Sequence, residues 1–292
     1  MMKRRARYLK RLGELLVFHR ILDRANELSE ASLEETVMEF QAAADLYVDG
    51  IPGPETYWAL QMPFALYEPK LDFVRCEAET APGIDGYDRV YLRADAAERY
   101  QALHEEVVSL GAVLTSSGGK RALTQGASAS RSSKSMHYAG LAFDLAIASG
   151  FFRPASDPFV VTQGEATAWT VWARADGGEE MELEAQVWKG RSWTGGDTAT
   201  KTVKGRFINL TELCMRHGFH PIGPRLNFTR SEKRNYLGAE WWHFQANELL
   251  EPGLSQFGVE LLRIEGYTPE FIRVSNEGVW SNRKVLFQKN WF

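Results

Sequence analysis

The feature that most constrains the fold of this chain is a histidine motif that requires a bend. The stretch SMHYAGLAFDLA, residues 135–146, places His137 seven positions before Asp144. On one straight strand, this odd spacing puts the two side chains on opposite faces of the sheet. They can face a common point only if the chain turns between them, and Gly140 is well placed to allow that turn. Taken alone, the pair is more typical of a strand with a structural histidine than of a metal site.

A second motif, about a hundred residues further on, supplies a third ligand. The sequence EWWHF places Glu240 three residues before His243, on a short aromatic strand or strand edge. His137, Asp144 and His243 make two imidazoles and one carboxylate, and three protein ligands with an open fourth position are typical of catalytic zinc. Glu240 adds the carboxylate that a hydrolase needs as a base beside the water at that position. The sequence therefore predicts one Zn²⁺ per chain if the fold joins the two motifs.

The two motifs together resemble the signature of a known enzyme family. The spacing S-x-H-x-x-G-x-A-x-D, followed by EWWHF, resembles that of the zinc D-alanyl-D-alanine carboxypeptidase and dipeptidase family. That family includes bacterial cell-wall trimming enzymes, vancomycin-resistance dipeptidases and some phage endolysins. The resemblance is strong over two stretches, about 110–146 and 207–246. It implies that His137, Asp144 and His243 bind zinc and that Glu240 is the general base of a peptidase.

The resemblance also implies an arginine after a Ser-Gly pair, which holds a substrate carboxylate or the developing oxyanion. Here the sequence SSGGKR puts Lys120 at the strict position and Arg121 one residue further, and Arg131 is a third candidate. We favour Arg121, because a guanidinium offers a bidentate fork that an ammonium lacks. Ser135 either binds substrate or only fixes its loop, and Trp242 either shapes the substrate site or packs in the core.

The first sixty residues carry a second resemblance. Apolar residues at helical spacing predict a helix over about 4–26, SLEETVMEFQAAADL predicts another, and turn residues lead into a short third helix ending at Leu60. The stretch VMEFQAAADLYVDGIPGPETYWAL resembles the end of the three-helix peptidoglycan-binding module of cell-wall hydrolases, over roughly residues 5–62. The matching residues are Phe40, Gln41, Asp49, Gly50, Gly53, Pro54, Thr56, Ala59 and Leu60. The resemblance implies peptidoglycan as a partner, although such modules also persist as structural spacers.

The remaining patterns predict helices mixed with strands. RADAAERYQALHEEVVSLG predicts a helix closed by Gly111, AVLTSS a strand, and the Gly-, Ser- and Ala-rich residues 118–134 a long loop. Apolar and polar residues alternate on both sides of Asp176-Gly177-Gly178, which predicts a β-hairpin there. FINLTELCMRHGF predicts a helix, and LGAEWWHFQ predicts a strand.

We therefore expect an α+β protein with a small three-helix N-terminal module and an antiparallel-sheet zinc peptidase domain that contains a β-rich insertion. The expected boundaries are 1–62 for the module, 63–88 for a linker or lead-in, 89–252 for the peptidase domain with its insertion at 157–205, and 253–292 for a C-terminal extension of unknown role.

Composition limits the partners and the location. Hydrophobic residues make up 44% and charged residues 25%, as in ordinary soluble globular proteins, and the net charge of −4 argues against nucleic acid. The sequence contains no run of about 18 apolar residues, so no transmembrane segment is predicted. The basic N-terminus lacks a clean apolar segment, so no secretory signal is predicted, and we expect synthesis in the cytoplasm and, for a lysin, action at the cell wall or periplasm. Cys76 and Cys214 are expected to be buried free thiols, with a single disulfide between them as the alternative.

The expected function is hydrolysis of peptidoglycan bonds that involve D-amino acids, by a D-Ala-D-Ala carboxypeptidase or a stem-peptide endopeptidase such as a phage-type endolysin. Two alternatives stay open. The hedgehog signalling domain carries a similar SLHYEG stretch around its zinc ligands, so a zinc-containing binding protein without catalysis also fits; Glu240 and the two tryptophans that follow it argue against this. The other alternative is a cytoplasmic D,D-dipeptidase in which the helical module serves dimerisation.

Overall fold

The structure is a computed structural model, and its internal contacts divide the chain into two compact units. The residues described are 2–126, 132, 134–164, 168–229 and 234–275, with side chains from Arg4 onward. The first unit contains the residues up to Asp72, Ala122–Ser135 and the residues from Leu250 onward. The second unit contains Phe73–Arg121 and Met136–Leu249.

Helices and antiparallel strand pairs occur together, which confirms the predicted α+β class. The helices are α1 Met2–Phe18, α2 Leu33–Ala43, α3 Pro54–Tyr67, α4 Ala94–Ser109, α5 Leu210–Arg216, α6 Leu226–Thr229, α7 Phe257–Leu262 and α8 Pro269–Ser275. The strands are β1 Phe73–Glu77, β2 Arg89–Arg93, β3 Ala142–Asp144, β4 Phe159–Gln163, β5 Trp169–Trp188, β6 Thr194–Gly196, β7 Thr198–Asn209, β8 His220–Pro221, β9 Arg234–Asn235 and β10 His243–Gln245. Within the described ranges, no helix has the length and apolar character needed to cross a membrane.

The first unit is built on the N-terminal helices. Helix α1 ends at Phe18, earlier than predicted, because Arg20 adopts a φ of 60° and the N–H of Ile21 bonds the carbonyl of Leu16 at 2.9 Å. This left-handed residue caps the helix and turns the chain away. One buried cluster joins the helices: Tyr8, Leu12, Leu15, Leu16, Leu28, Phe40, Leu60 and Leu254.

A buried glutamine organises the turn between α2 and α3. The amide nitrogen of Gln41 donates to Asp49 Oδ1 at 2.8 Å and to the carbonyl of Ile51 at 3.2 Å. Its amide oxygen accepts the N–H groups of Asp49 at 3.0 Å and of Gly50 at 2.9 Å. Gly50 has a φ of 70°, which glycine adopts without strain. The Phe-Gln pair and the Asp-Gly turn of the sequence are therefore one hydrogen-bonded structure.

The described part of the predicted C-terminal extension completes the core of the first unit. Gln61 on α3 donates its amide nitrogen to the carbonyl of Leu254 at 2.9 Å, and Lys70 Nζ donates to the carbonyl of Leu262 at 2.8 Å. Every residue of α7 is buried. Residues 63–88 were predicted to be a linker or lead-in. They contain the last turn of α3 and strand β1.

In the second unit, a small sheet carries part of the predicted metal site. Strand β10 lies between β3 and β8, and both pairings are antiparallel. The ring of Phe143 on β3 lies 5.0 Å from Tyr100 on α4, 5.1 Å from Phe219 and 5.6 Å from Phe244 on β10. Three strands of two or three residues give few ladder hydrogen bonds, so this aromatic packing stabilises their positions.

The predicted β-rich section is present, but the predicted hairpin turn is wrong. Strand β5 runs through Asp176-Gly177-Gly178 without turning back, and it pairs with β4 on one side and β7 on the other. Arg174 and Glu179 both lie opposite Phe207, so the residues between them bulge from the strand. A Cβ on Gly178 would lie 2.6 Å from the backbone of Phe207, which explains the glycine as a close approach rather than a turn.

Two further strand predictions need correction. AVLTSS forms isolated bridges at Thr115 and Ser116 rather than a strand. Of LGAEWWHFQ, only the last three residues form strand β10, and Tyr236–Gly238 is a 3₁₀ turn. The strand prediction was correct for the end of the motif that contains the predicted ligand His243. It was wrong at Glu240, whose φ of 55° is incompatible with an extended strand.

Candidate metal centre

The predicted bend between the first two ligands is present. His137 lies in a 3₁₀ turn, Met136–Ala139. The N–H of Gly140 donates to the carbonyl of His137 at 3.1 Å, and the N–H of Leu141 donates to the carbonyl of Met136 at 3.0 Å. Gly140 adopts a φ of 64°, as in a glycine-terminated helix cap. The chain leaves this cap directly into β3, so His137 and Asp144 do not share a straight strand.

Strand pairing brings the second motif to the first. In the antiparallel register of β3 and β10, His243 lies directly opposite Asp144. The N–H of Asp144 donates to the carbonyl of Gly118 at 2.9 Å, and the N–H of Ser117 donates to the carbonyl of Asp144 at 2.8 Å. The backbone of Asp144 is therefore fixed from the side opposite β10, and its side chain is held beside His243.

The three predicted ligands converge at donor distances that suit one metal ion. His137 Nε2 lies 3.2 Å from His243 Nδ1 and 3.2 Å from Asp144 Oδ2, and His243 Nδ1 lies 3.0 Å from Asp144 Oδ1. In a tetrahedral zinc site with bonds near 2.0–2.1 Å, ligand atoms lie about 3.3–3.4 Å apart. Asp144 approaches the two imidazoles through different oxygen atoms, and with one ligand atom from each residue the three atoms lie within 4.8 Å of one another, so the group could hold a metal ion. His137 and His243 are 3% and 7% exposed, so both imidazoles are withdrawn from bulk water.

Hydrogen bonds behind the ligands select the nitrogen atoms that face the cluster. His137 Nδ1 donates to the carbonyl of Gly119 at 2.6 Å, and a carbonyl can only accept. A neutral His137 therefore presents the lone pair of Nε2. His243 turns Nδ1 toward the cluster, 3.0 Å from Asp144 Oδ1. Imidazole nitrogens beside a carboxylate favour a cation, and an outer hydrogen bond such as that of His137 is typical of metal-bound histidines.

The charges and hydrogen bonds of the cluster shift the pKa values of Asp144 and His243 in opposite directions. Burial would raise the pKa of Asp144, but the charge and hydrogen bond of His137, with those of His243, hold it well below its usual range. Burial would lower the pKa of His243, but the hydrogen bond and charge of Asp144 outweigh burial and raise it. The carboxylate therefore stays ionised, and the site attracts positive charge, whether a proton or a metal ion.

Glu240 lies in the turn that precedes β10. It is 6% exposed, the N–H of His243 donates to its carbonyl at 3.1 Å, and its charge contributes to the raised pKa of His243. Its carboxylate forms an ion pair with Arg225 Nε. Sequence reasoning had no signal for Arg225, because the surrounding sequence PRLNFTR has no recognisable motif. It also could not identify the carbonyl of Gly119, because a backbone group leaves no mark in the sequence.

The predicted substrate residues differ in how well the structure places them. Arg121 bonds the carbonyl of His137 through its N–H at 2.9 Å, and its guanidinium lies 5.6 Å from the ring centroid of Tyr138. Lys120 Nζ lies 3.8 Å from the ring centroid of Phe73. Arg131 lies outside the described residues. Arg121 is thus adjacent to a ligand through the backbone, while Lys120 is held against an aromatic ring.

The other two predicted substrate residues lie beside the ligands in sequence. Ser135 directly precedes the turn that carries His137, and it is partly buried. Trp242 is 4% exposed, and its ring lies 5.5 Å from Tyr236 and 5.7 Å from Trp241. The N–H of Leu145 donates to the carbonyl of Trp242 at 2.9 Å. Trp242 therefore packs in an aromatic layer behind the ligands.

The remaining histidines have other partners. His217 Nε2 lies 2.7 Å from Glu106 Oε2, His220 pairs with Glu248 at 3.3 Å, and His19 bonds the carbonyl of Leu60 at 2.9 Å. Among the residues that the structure describes, only His137, Asp144 and His243 form a group that could hold a metal ion, with their ligand atoms within 4.8 Å of one another. Cys76 and Cys214 are buried free thiols, as expected.

Comparison with known proteins identifies the N-terminal module. Residues 6–60 match the family model of a peptidoglycan binding domain. This range covers α1 and α2 and reaches into α3, including the Gln41 network. The match indicates association with the cell wall and peptidoglycan as a partner. Searches of curated proteins and of solved structures gave no match.

Proposed function

We propose that this protein is a zinc-dependent peptidase that hydrolyses peptidoglycan bonds involving D-amino acids. The observation that carries the proposal is the convergence of His137, Asp144 and His243, with donor atoms 3.0–3.2 Å apart. Buried Glu240 precedes this cluster by one turn. The donor set of two imidazoles and a carboxylate is that of catalytic zinc, which leaves a position for water or substrate. The resemblance of both motifs to zinc D,D-peptidases supports the choice of bond.

In the proposed mechanism, each residue has one role. His137, Asp144 and His243 would hold the zinc ion, which would supply a Lewis acid and a water of lowered pKa when bound. Glu240 would accept a proton from the attacking water and return it to the leaving amine. The carbonyl of Gly119 orients the imidazole of His137, and Arg225 holds the carboxylate of Glu240. Substrate anchoring is assigned to Arg121, whose guanidinium can take a carboxylate in a bidentate pair.

The helical module favours a polymeric substrate over a free dipeptide. A module that associates with the wall raises the local concentration of wall peptides around a tethered enzyme. A dipeptidase that acts on small soluble molecules gains nothing from such tethering. We therefore propose a D,D-carboxypeptidase or a stem-peptide endopeptidase, in a chain of the endolysin type.

The test is mass spectrometry of muropeptides before and after incubation with the zinc-loaded protein. A carboxypeptidase removes one D-alanine from pentapeptide stems, whereas an endopeptidase converts cross-linked dimers into monomers with the addition of water. A chelator-treated sample and a Glu240→Gln sample serve as controls and are expected to leave the profile unchanged. An unchanged profile from protein with one bound zinc would contradict the proposed activity.

One observation favours a second candidate, a zinc-containing binding protein without catalysis. The carboxylate of Glu240 is engaged by Arg225, so it is not free to face a water in the cluster. In this case the zinc would stabilise the fold and the protein would bind the wall without cutting it. Zinc at full occupancy, sedimentation with purified peptidoglycan and an unchanged muropeptide profile would together support this candidate.

A further inference from the structure

The β-rich section carries a groove that the candidate metal centre does not use. Its volume is about 450 Å³, within the usual range for small-molecule sites. Aromatic side chains line it, Phe152, Trp188 and Trp193, together with the guanidinium groups of Arg153 and Arg191. This combination of flat apolar surface and positive charge suggests a ligand with both an apolar face and an anionic group.

Trp188 forms the preformed floor of this groove. It is 6% exposed, and its indole N–H donates to the carbonyl of Ser192 at 3.1 Å. A Cβ on Gly190 would lie 2.3 Å from this indole, and one on Gly196 would lie 2.2 Å from it. Both positions therefore require glycine for the chain to pass so close to the ring. The segment after β5 is wrapped around Trp188, which fixes the ring before any ligand binds.

Trp193 forms an exposed wall above that floor. It is 47% exposed, and its ring lies 6.0 Å from Phe152 at an interplanar angle of 83°. Of the described tryptophans, it is the only one in the exposed class. A half-exposed indole beside a fixed aromatic floor offers apolar surface that packing within the chain leaves uncovered. Such a surface suits the apolar face of a pyranose ring.

The charge of the groove is positive. Arg191 is exposed and forms no ion pair within the described ranges. Arg153 pairs with Asp157 through Nε at 3.2 Å, yet its side chain is 61% exposed. None of the described residues that line the groove is acidic. A carboxylate on the ligand therefore finds the guanidinium of Arg191 without competition from a described protein carboxylate.

One tyrosine connects the groove to the candidate metal centre. The N–H of Tyr236 donates to the carbonyl of Trp193 at 2.7 Å. The ring of Tyr236 lies 5.0 Å from Trp193 and 5.5 Å from Trp242, the residue before ligand His243. The groove and the predicted ligands thus border the same aromatic layer. A polymer with sugar and peptide parts could contact both.

We propose that this groove binds a sugar unit of the peptidoglycan glycan strand. The sugar ring stacks on Trp193 over Trp188, and a carboxylate of the attached stem peptide pairs with Arg191. The identity of the ligand rests on the proposed function and on the wall-binding module. N-acetylated pyranoses supply the apolar face, and stem peptides supply the carboxylates. A peptide alone supplies the charge without the flat face.

Calorimetric titration of the full chain tests the proposal in the Glu240→Gln background, which prevents cleavage of the ligand. The two probes are a disaccharide-tetrapeptide muropeptide and neutral tetra-N-acetylchitotetraose. Trp193→Ala is expected to weaken binding of both probes about tenfold, as for loss of a central aromatic contact. Arg191→Gln is expected to weaken muropeptide binding about three- to tenfold and to leave binding of the neutral sugar unchanged.

Two matched variants control for general effects in the same unit. Met215→Ala removes a large apolar side chain that is 46% exposed on α5, outside the groove. Lys201→Gln removes one exposed positive charge from β7, also outside the groove. Both are expected to bind like the parent. Trp193→Phe, which keeps an aromatic face, is expected to recover much of the sugar affinity lost in Trp193→Ala.

The outcomes separate this proposal from the proposed function. Equal binding of both probes by Trp193→Ala and its parent would overturn the groove assignment, because the affinity would then reside elsewhere, such as in residues 6–60. Binding of the free tetrapeptide as tight as that of the muropeptide would also overturn it. If the wild-type protein cleaves no muropeptide but the variants lose binding as expected, the groove stands and the peptidase proposal fails.

Discussion

At the scale of single residues, His243 shows how strongly the predicted ligands are coupled. Burial opposes its protonation, but the hydrogen bond and charge of Asp144 outweigh burial and raise its pKa above the ordinary 6.5. Zinc binds neutral imidazole and must displace that proton. We therefore expect zinc affinity to fall as pH falls through the raised pKa of His243. Asp144 has a lowered pKa and stays ionised there, so it adds no pH dependence.

Competition with a chelator between about pH 6 and pH 9 measures this dependence. An affinity that is constant across the range would contradict the assignment of His243 as a ligand. The zinc-free protein provides the opposite trend. A raised folded-state pKa contributes stability below the unfolded-state pKa of histidine, and that contribution is lost as pH rises through the folded-state value. The lowered pKa of Asp144 contributes stability that is lost only at acidic pH, through its folded-state value.

Gly140 is predicted to be irreplaceable at the bend. It has a φ of 64°, and a Cβ there would lie 2.5 Å from the ring of Phe73 and 2.7 Å from the backbone nitrogen of Arg93. Gly140→Ala adds steric overlap to left-handed strain, and we expect it to lower the free energy of unfolding by about 3 kcal/mol or more. Gly83→Ala is the control, because Gly83 has a φ of 72° and no atom within 4 Å of the added Cβ.

Denaturant unfolding of both variants measures the difference. Gly83→Ala is expected to cost about 1–2 kcal/mol, which is the strain alone. Equal costs for the two variants would show that the contacts around Gly140 are not as tight as the structure indicates. Zinc affinity of Gly140→Ala is also expected to fall, because the bend orients His137.

The success of the sequence at this scale has a simple physical origin. The bend at Gly140 and the convergence of His137 with Asp144 were predictable, because a left-handed cap and a candidate metal ligand set each demand particular side chains. Arg225 was not, because an arginine is an ordinary surface residue until the fold places a buried carboxylate beside it. The carbonyl of Gly119 was not, because every residue has one and only the fold decides which imidazole it faces.

At the scale of elements, the periodicity of apolar residues predicted strands more reliably than it predicted where the chain turns between them. The alternating residues of β5 predicted strand correctly, but Asp176-Gly177-Gly178 was misread as a turn. A glycine pair serves a hairpin turn or a close backbone approach equally well, and the backbone of Phe207 at 2.6 Å decides for the second. That neighbour belongs to β7, about thirty residues away in sequence, and local patterns contain no information about it.

The turn between α2 and α3 depends on Gln41, a residue that is 2% exposed. Gln41→Leu keeps similar volume and removes the acceptor for the N–H groups of Asp49 and Gly50. We expect the free energy of unfolding of the first unit to fall by about 2–4 kcal/mol, since two backbone donors lose their partner. Glu39→Ala, an exposed change on the same helix, is expected to cost less than about 0.5 kcal/mol.

Chemical denaturation, followed by a signal from the helical unit, measures the effect of Gln41→Leu. Unchanged stability would show that the hydrogen bonds of Gln41 do not stabilise the module formed by residues 6–60. The same variant is expected to bind purified peptidoglycan less well, because the turn is part of the matched module.

At the scale of the whole molecule, each of the two units is built from segments that are not consecutive in the sequence. The first unit begins with the N-terminal helices, includes Ala122–Ser135 and takes up the chain once more at Leu250, where Leu254 enters the buried cluster with Leu60 and Phe40. The sequence from 253 onward contains no motif, so it was expected to be an extension of unknown role. A short helix such as α7 needs only a few apolar residues to be buried. Composition alone cannot distinguish such a segment from a loop.

If His137, Asp144 and His243 hold zinc and Glu240 is the base, metal binding and turnover should be separable by substitution. Glu240→Gln should retain about one zinc per chain, because Glu240 is not among the converging ligand atoms. Asp144→Asn should lose zinc, because the ionised carboxylate balances the charge of the metal. Both variants should lose muropeptide cleavage, the first because no base remains and the second because no metal remains.

The most direct measurement is therefore zinc content and muropeptide turnover, determined together on the wild-type protein and Glu240→Gln. We expect equal zinc content and a turnover at least about a hundredfold lower in the variant, as for loss of a general base. Turnover of Glu240→Gln equal to that of the zinc-loaded wild type would contradict the assignment of Glu240 as the base of a zinc peptidase.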